Sequence, residues 1–265
     1  MSQQFSEQTW VWKNPDWMLL PDSQFKLVQD ISCIDNLLNT QFKDSFPQML
    51  PEALLEEITA SWAIESISLR PSVMQAALEG QYSDSQESMA VQATKFFLES
   101  TEDLSVELIL KTHKILDDHK KLWGKVRKTG VCVQNFVTKK ILYIAPAAKD
   151  VPKLLHDFVN WWHSSKTQLP LPVGAALAHL YFAVIHPFED GNGRISRLLA
   201  NKYLGSFPPY SISAEIYNNH ATYYHMIREF SNNTALNFTP FVDFILTCHK
   251  DAANNASVKA SSLHG

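Results

Sequence analysis

The sequence lacks a cysteine framework and an excess of basic charge. Its three cysteines, Cys33, Cys132 and Cys248, are widely spaced and odd in number. They therefore predict neither a disulfide scaffold nor a metal knuckle, and they favour a reducing compartment. The formal net charge of −4 argues against a general nucleic-acid binder, because such proteins carry a basic surface.

A long hydrophobic run is also missing. The longest apolar stretch, residues 175–185, is too short to cross a bilayer and contains His179. Residues 1–10 are polar and lack the apolar centre of a signal segment. Hydrophobic residues make up 45% of the chain and charged residues 19%, as in ordinary globular proteins. We expect a cytoplasmic protein without a membrane partner.

Apolar residues recur at helical spacing along most of the chain, which predicts an all-α fold. Helices are predicted at residues 21–38, 52–69, 90–98, 106–116, 151–162, 173–185, 194–204, 218–230 and 240–249. The short β-prone runs at 130–133 and 141–144 flank a polar tip, which is typical of a β-hairpin. We expect a helical N-terminal region at 1–100, a core at 101–250 packed against it, and a disordered tail at 251–265.

The chemistry is concentrated in residues 186–197, His-Pro-Phe-Glu-Asp-Gly-Asn-Gly-Arg-Ile-Ser-Arg. Pro187 forbids continuation of the preceding apolar helix, and Phe188 is predicted to anchor the turn on the core. Gly191 and Gly193 allow positive φ or close backbone approach. A new helix then begins near Asn192, so unpaired amides and the positive end of its dipole form an anion site.

Four side chains of this segment complete the predicted site. Arg194 and Arg197 share one face of the first helical turn, where two guanidinium groups suit a di- or triphosphate. Asp190 tolerates phosphate only if a divalent cation bridges them, and Mg²⁺ prefers such a carboxylate. His186 titrates near neutrality and suits removal of a proton from a hydroxyl. The set predicts phosphoryl or nucleotidyl transfer.

Residues 186–197 also match every specified position of His-x-Phe-x-[Asp/Glu]-Gly-Asn-Gly-Arg-x-x-Arg, the signature of the Fic family. The chain resembles that family elsewhere. The helix at 173–185 looks like its lead-in helix, and the hairpin at 130–146 looks like its target-positioning flap. Tyr223-Tyr224 and the helix beginning at Pro240 look like its C-terminal core helices.

The resemblance implies protein AMPylation, the transfer of AMP from Mg·ATP to a Ser, Thr or Tyr hydroxyl of a target protein. It implies His186 as general base and Asp190 as the Mg²⁺ ligand. The nest of Gly191, Asn192 and Gly193 would stabilise the α-phosphate. Arg194 would hold the outer phosphates, Arg197 the γ-phosphate, and Tyr224 would line the adenine pocket. The flap would pair its edge with an extended target segment.

A second resemblance concerns Ser61 and Glu65, which share one face of the helix predicted at 52–69. Many Fic proteins carry an inhibitory [Ser/Thr]-x-x-x-Glu-[Gly/Asn] helix whose Glu pairs with the second signature arginine. Ser66 stands here where Gly or Asn is expected. The resemblance implies that Glu65 occupies Arg197 and holds ATP in an unreactive pose.

Other interpretations stay open from the sequence. The same site suits transfer of UMP, phosphocholine or phosphate, although Gly193 favours AMP, and it suits removal of AMP from targets. A non-catalytic nucleotide-sensing module is the alternative of another class. A homodimer is left open. The basic cluster Lys120, Lys121, Lys125, Arg127 and Lys128 is predicted to be a solvated loop that leads into the hairpin.

Overall fold

The computed structural model describes residues 22–41, 46–116, 124–134, 141–232 and 237–263. Their helices are α1 (Asp22–Gln41), α2 (Phe46–Ala63), α3 (Pro71–Leu78), α4 (Gln86–Glu99), α5 (Val106–Leu116), α6 (Val151–Ser165), α7 (Leu171–Ile185), α8 (Asn192–Tyr203), α9 (Ile212–Asn218), α10 (His220–Asn232) and α11 (Thr239–Leu263). The strands are β1 (Cys132–Gln134) and β2 (Ile141–Ile144). The predicted all-α fold with a small hairpin is confirmed.

The core is centred on α7, which is apolar on all sides and buried along most of its length. A helix of that kind must be surrounded by other helices. Its main neighbour is α8, with α6 and α11 on other sides. Farther out, α1 lies against α11 and α2 lies against α9. No helix among the described residues is long and apolar enough to span a bilayer.

The hairpin forms where the sequence predicts it. Strands β1 and β2 are antiparallel, with Cys132 opposite Ile144 and Val133 opposite Tyr143. The Tyr143 hydroxyl donates a hydrogen bond to the Val184 carbonyl of α7, which ties the hairpin to the helix that precedes the loop. The predicted tip at 135–140 lies outside the described residues.

Helix α2 begins earlier and ends earlier than the predicted helix at 52–69. It ends because Ser66 adopts a left-handed conformation with φ of 60°. The Ile67 amide donates to the Trp62 carbonyl, and the Ser66 amide donates to the Ala63 carbonyl. This is the Schellman arrangement, with Ser66 at the position that glycine usually takes. Glu65 therefore caps the helix.

One further expectation is corrected, and one short helix was missed. Residues 251–263, expected to be disordered, continue α11, because Ala252, Ala253, Ala256 and Ala260 form a buried stripe that lets the helix pack closely. The helix expected at 218–230 corresponds to α10, shifted by two residues, whereas α9, which precedes it, was not predicted. Polar composition thus concealed a helix whose apolar face consists of alanine.

Candidate functional site

The loop between α7 and α8 has a fixed, unusual backbone. Helix α7 ends at His186, which has φ of 50° and ψ of 58° and whose amide donates to the Phe182 carbonyl. A non-glycine residue in the left-handed region is strained, and such strain persists only where surrounding contacts hold it. The N-cap of α8 is Gly191 with φ of 85°, a conformation that glycine adopts without strain.

Contacts with the core hold this loop at two points. Phe188 is fully buried and stacks on the His113 ring, with ring centroids 3.6 Å apart. His113 Nε2 lies 3.0 Å from the Asp190 carbonyl oxygen, and His113 Nδ1 accepts from the Gly124 amide. The buried Asn192 side chain bonds both the amide and the carbonyl of Phe188 at 2.9 Å. The Asn192 side chain therefore closes the loop.

Arg127 joins the loop to the hairpin. Its guanidinium donates to the carbonyls of His186 at 2.7 Å, Thr129 at 2.9 Å and Pro146 at 2.6 Å. Its amide donates to the Pro187 carbonyl. Thr129 precedes β1 and Pro146 follows β2, so one side chain ties both ends of the hairpin to the backbone of His186. Arg127 is 3% exposed, which corrects its assignment to a solvated basic cluster.

The protonation state of His186 follows from its contacts. Nδ1 lies 3.2 Å from the Ala183 carbonyl oxygen, which can only accept, so Nδ1 carries the proton and Nε2 the lone pair in the neutral ring. Burial lowers the pKa of His186, and Arg127 lowers it further, while Ala183, Glu65 and Asp190 act in the opposite direction. The ring is therefore a neutral base at physiological pH.

Arg194 lies beside the loop in the first turn of α8. Its Nη2 atom lies 3.0 Å from Asp190 Oδ1, which also accepts from the Gly191 amide at 2.6 Å. The guanidinium carbon lies 4.4 Å from the centre of the buried Trp62 ring. This cation–π contact fixes the plane of the guanidinium. The side chain of Asp190 is 57% exposed, so its carboxylate remains open to a ligand from solvent.

Arg197 is held by α2. Its Nε donates to Ser61 Oγ at 2.8 Å, and its Nη2 donates to the Ser61 carbonyl at 2.7 Å and to Glu65 Oε1 at 2.8 Å. Its side chain is 2% exposed. Burial lowers the pKa of Arg197, but the Glu65 carboxylate, together with Tyr223 and Tyr224, more than offsets burial, and the pKa is raised. The guanidinium is therefore fully charged.

Glu65 also contacts the start of α8 directly. A Cβ atom added to Gly193 would overlap Glu65 Oε1, so a larger residue would displace the carboxylate from this position. Gly193 thus serves close approach, whereas Gly191 serves positive φ. Next to Glu65, the Ile64 carbonyl accepts a hydrogen bond of 2.9 Å from the Tyr224 hydroxyl of α10. Tyr224 therefore lies against the end of α2.

The structure brings the predicted site residues together on three elements. The α7–α8 loop and the start of α8 carry His186, Asp190, Gly191, Asn192, Gly193, Arg194 and Arg197. Helix α2 adds Ser61 and Glu65, and α10 adds Tyr224 beside them. These elements carry a neutral imidazole, the uncapped N-terminal turn of a helix and two guanidinium groups, a set that suits a phosphate chain next to a hydroxyl.

Sequence reasoning missed residues that support the site from behind. Trp62, His113 and Arg127 contact Arg194, the loop and the hairpin respectively. Trp62 follows Ser61 in the chain, so the motif that identified Ser61 could have drawn attention to Trp62 as well. His113 and Arg127 are remote in sequence from residues 186–197, and nothing in the local pattern distinguishes them from ordinary helix or loop residues.

Comparison with known proteins agrees with this geometry. The model of the Fic/DOC family matches residues 103–204. A protein adenylyltransferase Fic from Nematostella vectensis is 27% identical over 216 residues, which cover 75% of this chain and 48% of that protein. The Drosophila grimshawi protein of the same name is 34% identical over 154 residues, covering 54% of this chain and 29% of its own. The chain thus spans half or less of these relatives.

Solved structures match the fold over most of the chain. A Fic family protein from Desulfovibrio desulfuricans G20 superposes with a TM-score of 0.78 at 24% identity, covering 91% of this chain and 76% of that one. Fic-1 from C. elegans superposes with a TM-score of 0.71 at 23% identity, covering 91% and 73%. At these identities the likeness concerns the fold, which is the same helical arrangement around α7 and α8.

Proposed function

Because residues 103–204 of this chain are a Fic domain, we propose that the protein is an adenylyltransferase that transfers AMP from ATP to a hydroxyl group of a target protein. The observation that carries the proposal is the α7–α8 loop. It presents a neutral His186 Nε2 beside the bare amides of α8 and two guanidinium groups. A pure nucleotide binder has no need of the imidazole.

The proposed transfer divides its steps among these groups. His186 Nε2 takes the proton of the target hydroxyl as its oxygen forms a bond to the α-phosphorus. The bond from that phosphorus to the bridging oxygen breaks, and pyrophosphate leaves. The amides of residues 191–193 stabilise the charge that develops on the α-phosphate, and Arg194 and Arg197 hold the outer phosphates. Arg127 and Asn192 keep the loop in position.

Asp190 fits the role of a Mg²⁺ ligand. Its carboxylate is more than half exposed at the edge of the phosphate site, and Mg²⁺ combines one or two carboxylates with phosphate oxygens and water. No group of three or more ligating side chains occurs among the described residues, so the nucleotide and water would complete the shell. Bound there, Mg²⁺ would neutralise charge on the α- and β-phosphates. Asp190 would have to exchange its contact with Arg194 for the ion.

We also propose that the wild-type protein is inhibited by Glu65. The contact of 2.8 Å with Arg197 occupies the guanidinium assigned to the γ-phosphate and adds a negative charge at that point. ATP then binds only in a displaced pose, and a displacement of about 1 Å costs on the order of a hundredfold in rate. The Ser61 contacts hold Arg197 in the inhibited position.

The decisive experiment uses Glu65→Gly with ATP labelled on either the α- or the γ-phosphate. Labelling of the protein or of lysate targets by α-labelled ATP alone supports AMP transfer. Labelling by γ-labelled ATP indicates phosphate transfer and contradicts the proposal. The second variant, Glu65→Gly with His186→Ala, should lose at least about a hundredfold in rate while it still binds ATP. Glu79→Gly, at an exposed position, is the control for the substitution itself.

Competition with CTP, UTP and GTP identifies the donor in the same assay. If Glu65→Gly labels no faster than the wild type, the inhibitory role fails, whatever the donor. If neither protein is labelled by any nucleotide although ATP binds, the non-catalytic sensing module becomes the better interpretation.

A further inference from the structure

Helix α2 is fastened to α8 by a buried carboxylate that the proposed reaction does not use. We propose that Glu57 is a positioning residue that anchors α2 and thereby sets the strength of inhibition by Glu65. The inference rests on the proposed function, since it concerns the regulation of the same site. It is carried by three rows of contacts between the two helices and by the surroundings of Glu57.

The contacts between α2 and α8 form a ladder. Residues 57 and 61 lie on α2, and residue 65, four further on, caps its end. Residues 193, 197 and 201 lie four apart on α8, so each set lies on one face. The two sets run in opposite directions. Glu65 lies over Gly193 and pairs with Arg197. Ser61 contacts Arg197, and Glu57 Oε1 accepts from Asn201 Nδ2 at 2.8 Å.

Glu57 forms the row farthest from the catalytic loop, and it also reaches α9. Its Oε1 accepts from the Ser213 hydroxyl in addition to Asn201. Its Oε2 accepts from the Ser211 hydroxyl at 2.8 Å and from the Ser213 amide at 2.9 Å. Glu57 is 2% exposed, and its hydrogen-bond partners among the described residues are all neutral. One carboxylate thus joins α2, α8 and the start of α9.

The buried Glu57 carboxylate restrains the position of α2. A buried carboxylate is costly unless its oxygens are saturated, and here each oxygen accepts two hydrogen bonds. Rotation or translation of α2 would leave the charge and four buried donors unsatisfied. Glu57 therefore fixes the rotation of α2, and with it the direction in which Ser61 and Glu65 point.

The two ends of the ladder differ in strength. The side chain of Glu65 is 32% exposed, caps the helix and has one charged partner. The Glu57 end can thus remain in place while the last turn of α2 moves. Release of Arg197 then requires a local movement of residues 62–66 rather than departure of the helix. Loss of the anchor would let the whole helix shift and would free Arg197 more often.

The test compares Glu57→Gln and Glu57→Ala with Glu56→Gln. Glu56 is the matched control, because it is the exposed neighbour on α2 and removes the same charge. The initial rate of labelling by α-labelled ATP is measured for each variant, alone and combined with Glu65→Gly. A charged buried hydrogen bond is worth roughly tenfold in an equilibrium constant.

We expect the Glu57 variants to label about tenfold faster than Glu56→Gln when Glu65 is present, and no faster when Glu65 is replaced by Gly. A merely structural role would lower the rate or change it equally in both backgrounds. Either of those results, or rates equal to that of Glu56→Gln, overturns the proposal. Glu57→Gln retains the shape of the side chain and remains informative if Glu57→Ala does not fold.

Amide hydrogen exchange separates this proposal from the proposed reaction. Residues 58–65 should exchange faster in Glu57→Gln than in Glu56→Gln, whether or not the protein is catalytically active. If no variant labels, Glu65→Gly included, the adenylyltransferase proposal fails while faster exchange still supports the anchor. Equal exchange in the two variants overturns the anchor.

Discussion

The Glu65 carboxylate lies where a side chain at position 193 would begin. If Gly193 carried a Cβ atom, that atom would lie 2.2 Å from Glu65 Oε1. The glycine lies in the first turn of α8 and has ordinary helical φ, so conformational freedom is not what this position needs. What it needs is the absence of a side chain, because the carboxylate of α2 rests directly on the backbone. The proposed inhibitory contact and the first turn of α8 are therefore sterically coupled.

The coupling predicts that the loss of stability caused by Gly193→Ala depends on whether Glu65 is present. In the wild type the methyl group displaces Glu65, and overpacking of this kind costs about 1–3 kcal/mol in the free energy of unfolding. In Glu65→Gly the carboxylate is gone, and the nearest remaining atom, Arg197 Nη1, would lie 3.1 Å from the added Cβ. Alanine should therefore cost less there than in the wild type, and its higher helix propensity offsets part of that cost. Urea unfolding of the four proteins measures both values. Equal destabilisation in both backgrounds would contradict the coupling.

Ser66 predicts a stabilising substitution at the end of α2. Its φ of 60° is unfavourable for a residue with a Cβ, so Ser66→Gly should raise the free energy of unfolding by about 1 kcal/mol. A more stable helix end should also hold Glu65 more firmly and lower the basal labelling rate. Thermal unfolding and labelling are measured together. Ser68→Gly, an exposed position without positive φ, should give no stabilisation; if it stabilises equally, the strain argument is wrong.

The sequence predicted those parts of the molecule that local patterns encode. Residues 186–197 combine a proline stop, two glycines and two arginines on one helical face, and the structure places them in one loop and turn. The hairpin at 130–144 was predicted for the same reason, because alternation and turn residues are local signals. The family resemblance extended this to Ser61 and Glu65, which no local pattern connects to Arg197.

The remainder depends on contacts between distant segments. Arg127 looks like one cation in a basic loop, and only the fold shows that three backbone carbonyls surround it. Glu57 looks like one of several glutamates on α2, and Ser211 and Ser213, more than 150 residues later, give it a role. The helical end of α11 escaped prediction because its buried face consists of alanine rather than larger apolar residues.

Arg127 predicts a loss of transfer rate without a loss of ATP binding. In the Glu65→Gly background, Arg127→Met removes the three contacts that hold His186 and both ends of the hairpin. We expect the maximal rate to fall by about a hundredfold, since small misplacements of a catalytic group have effects of that order. The ATP dissociation constant should change little, because Arg127 does not face the phosphate site. Lys128→Met, an exposed neighbour, is the control; a rate unchanged in Arg127→Met refutes the role.

The pH dependence of labelling follows from the environment of His186. A general base must be unprotonated, so the rate falls as the pH drops through its pKa. Burial and Arg127 lower the pKa of His186, so the Glu65→Gly enzyme should keep its activity to below pH 6.5. Because Glu65 raises the pKa of His186, replacing Glu65 with Gly should lower that pKa, and the loss of rate in acid should begin at a lower pH. Arg127 lowers the pKa of His186, so the residual activity of Arg127→Met should be lost at a higher pH. If it is lost at a lower pH instead, His186 is not the group that sets the pH dependence.

Two buried histidines predict how folding responds to acid. Burial lowers the pKa of His179 to about 3 and that of His249 to about 4, so both remain neutral in the folded protein. In the unfolded chain they take up protons near pH 6.5. Between pH 6.5 and about 4, the unfolded state therefore binds more protons, and the free energy of unfolding falls by up to about 1.4 kcal/mol per pH unit for each histidine.

The His249→Gln variant isolates this effect, because its amide can still bond the Tyr210 hydroxyl that lies 2.7 Å from His249 Nε2. Urea unfolding at several pH values should give a smaller loss of stability between pH 6.5 and 4 than in the wild type. Other titrating groups are common to both proteins and cancel in the difference. His156→Gln removes an exposed imidazole and is the matched control. If His249→Gln and the wild type lose stability in parallel, His249 is protonated in the folded state and burial does not govern its titration.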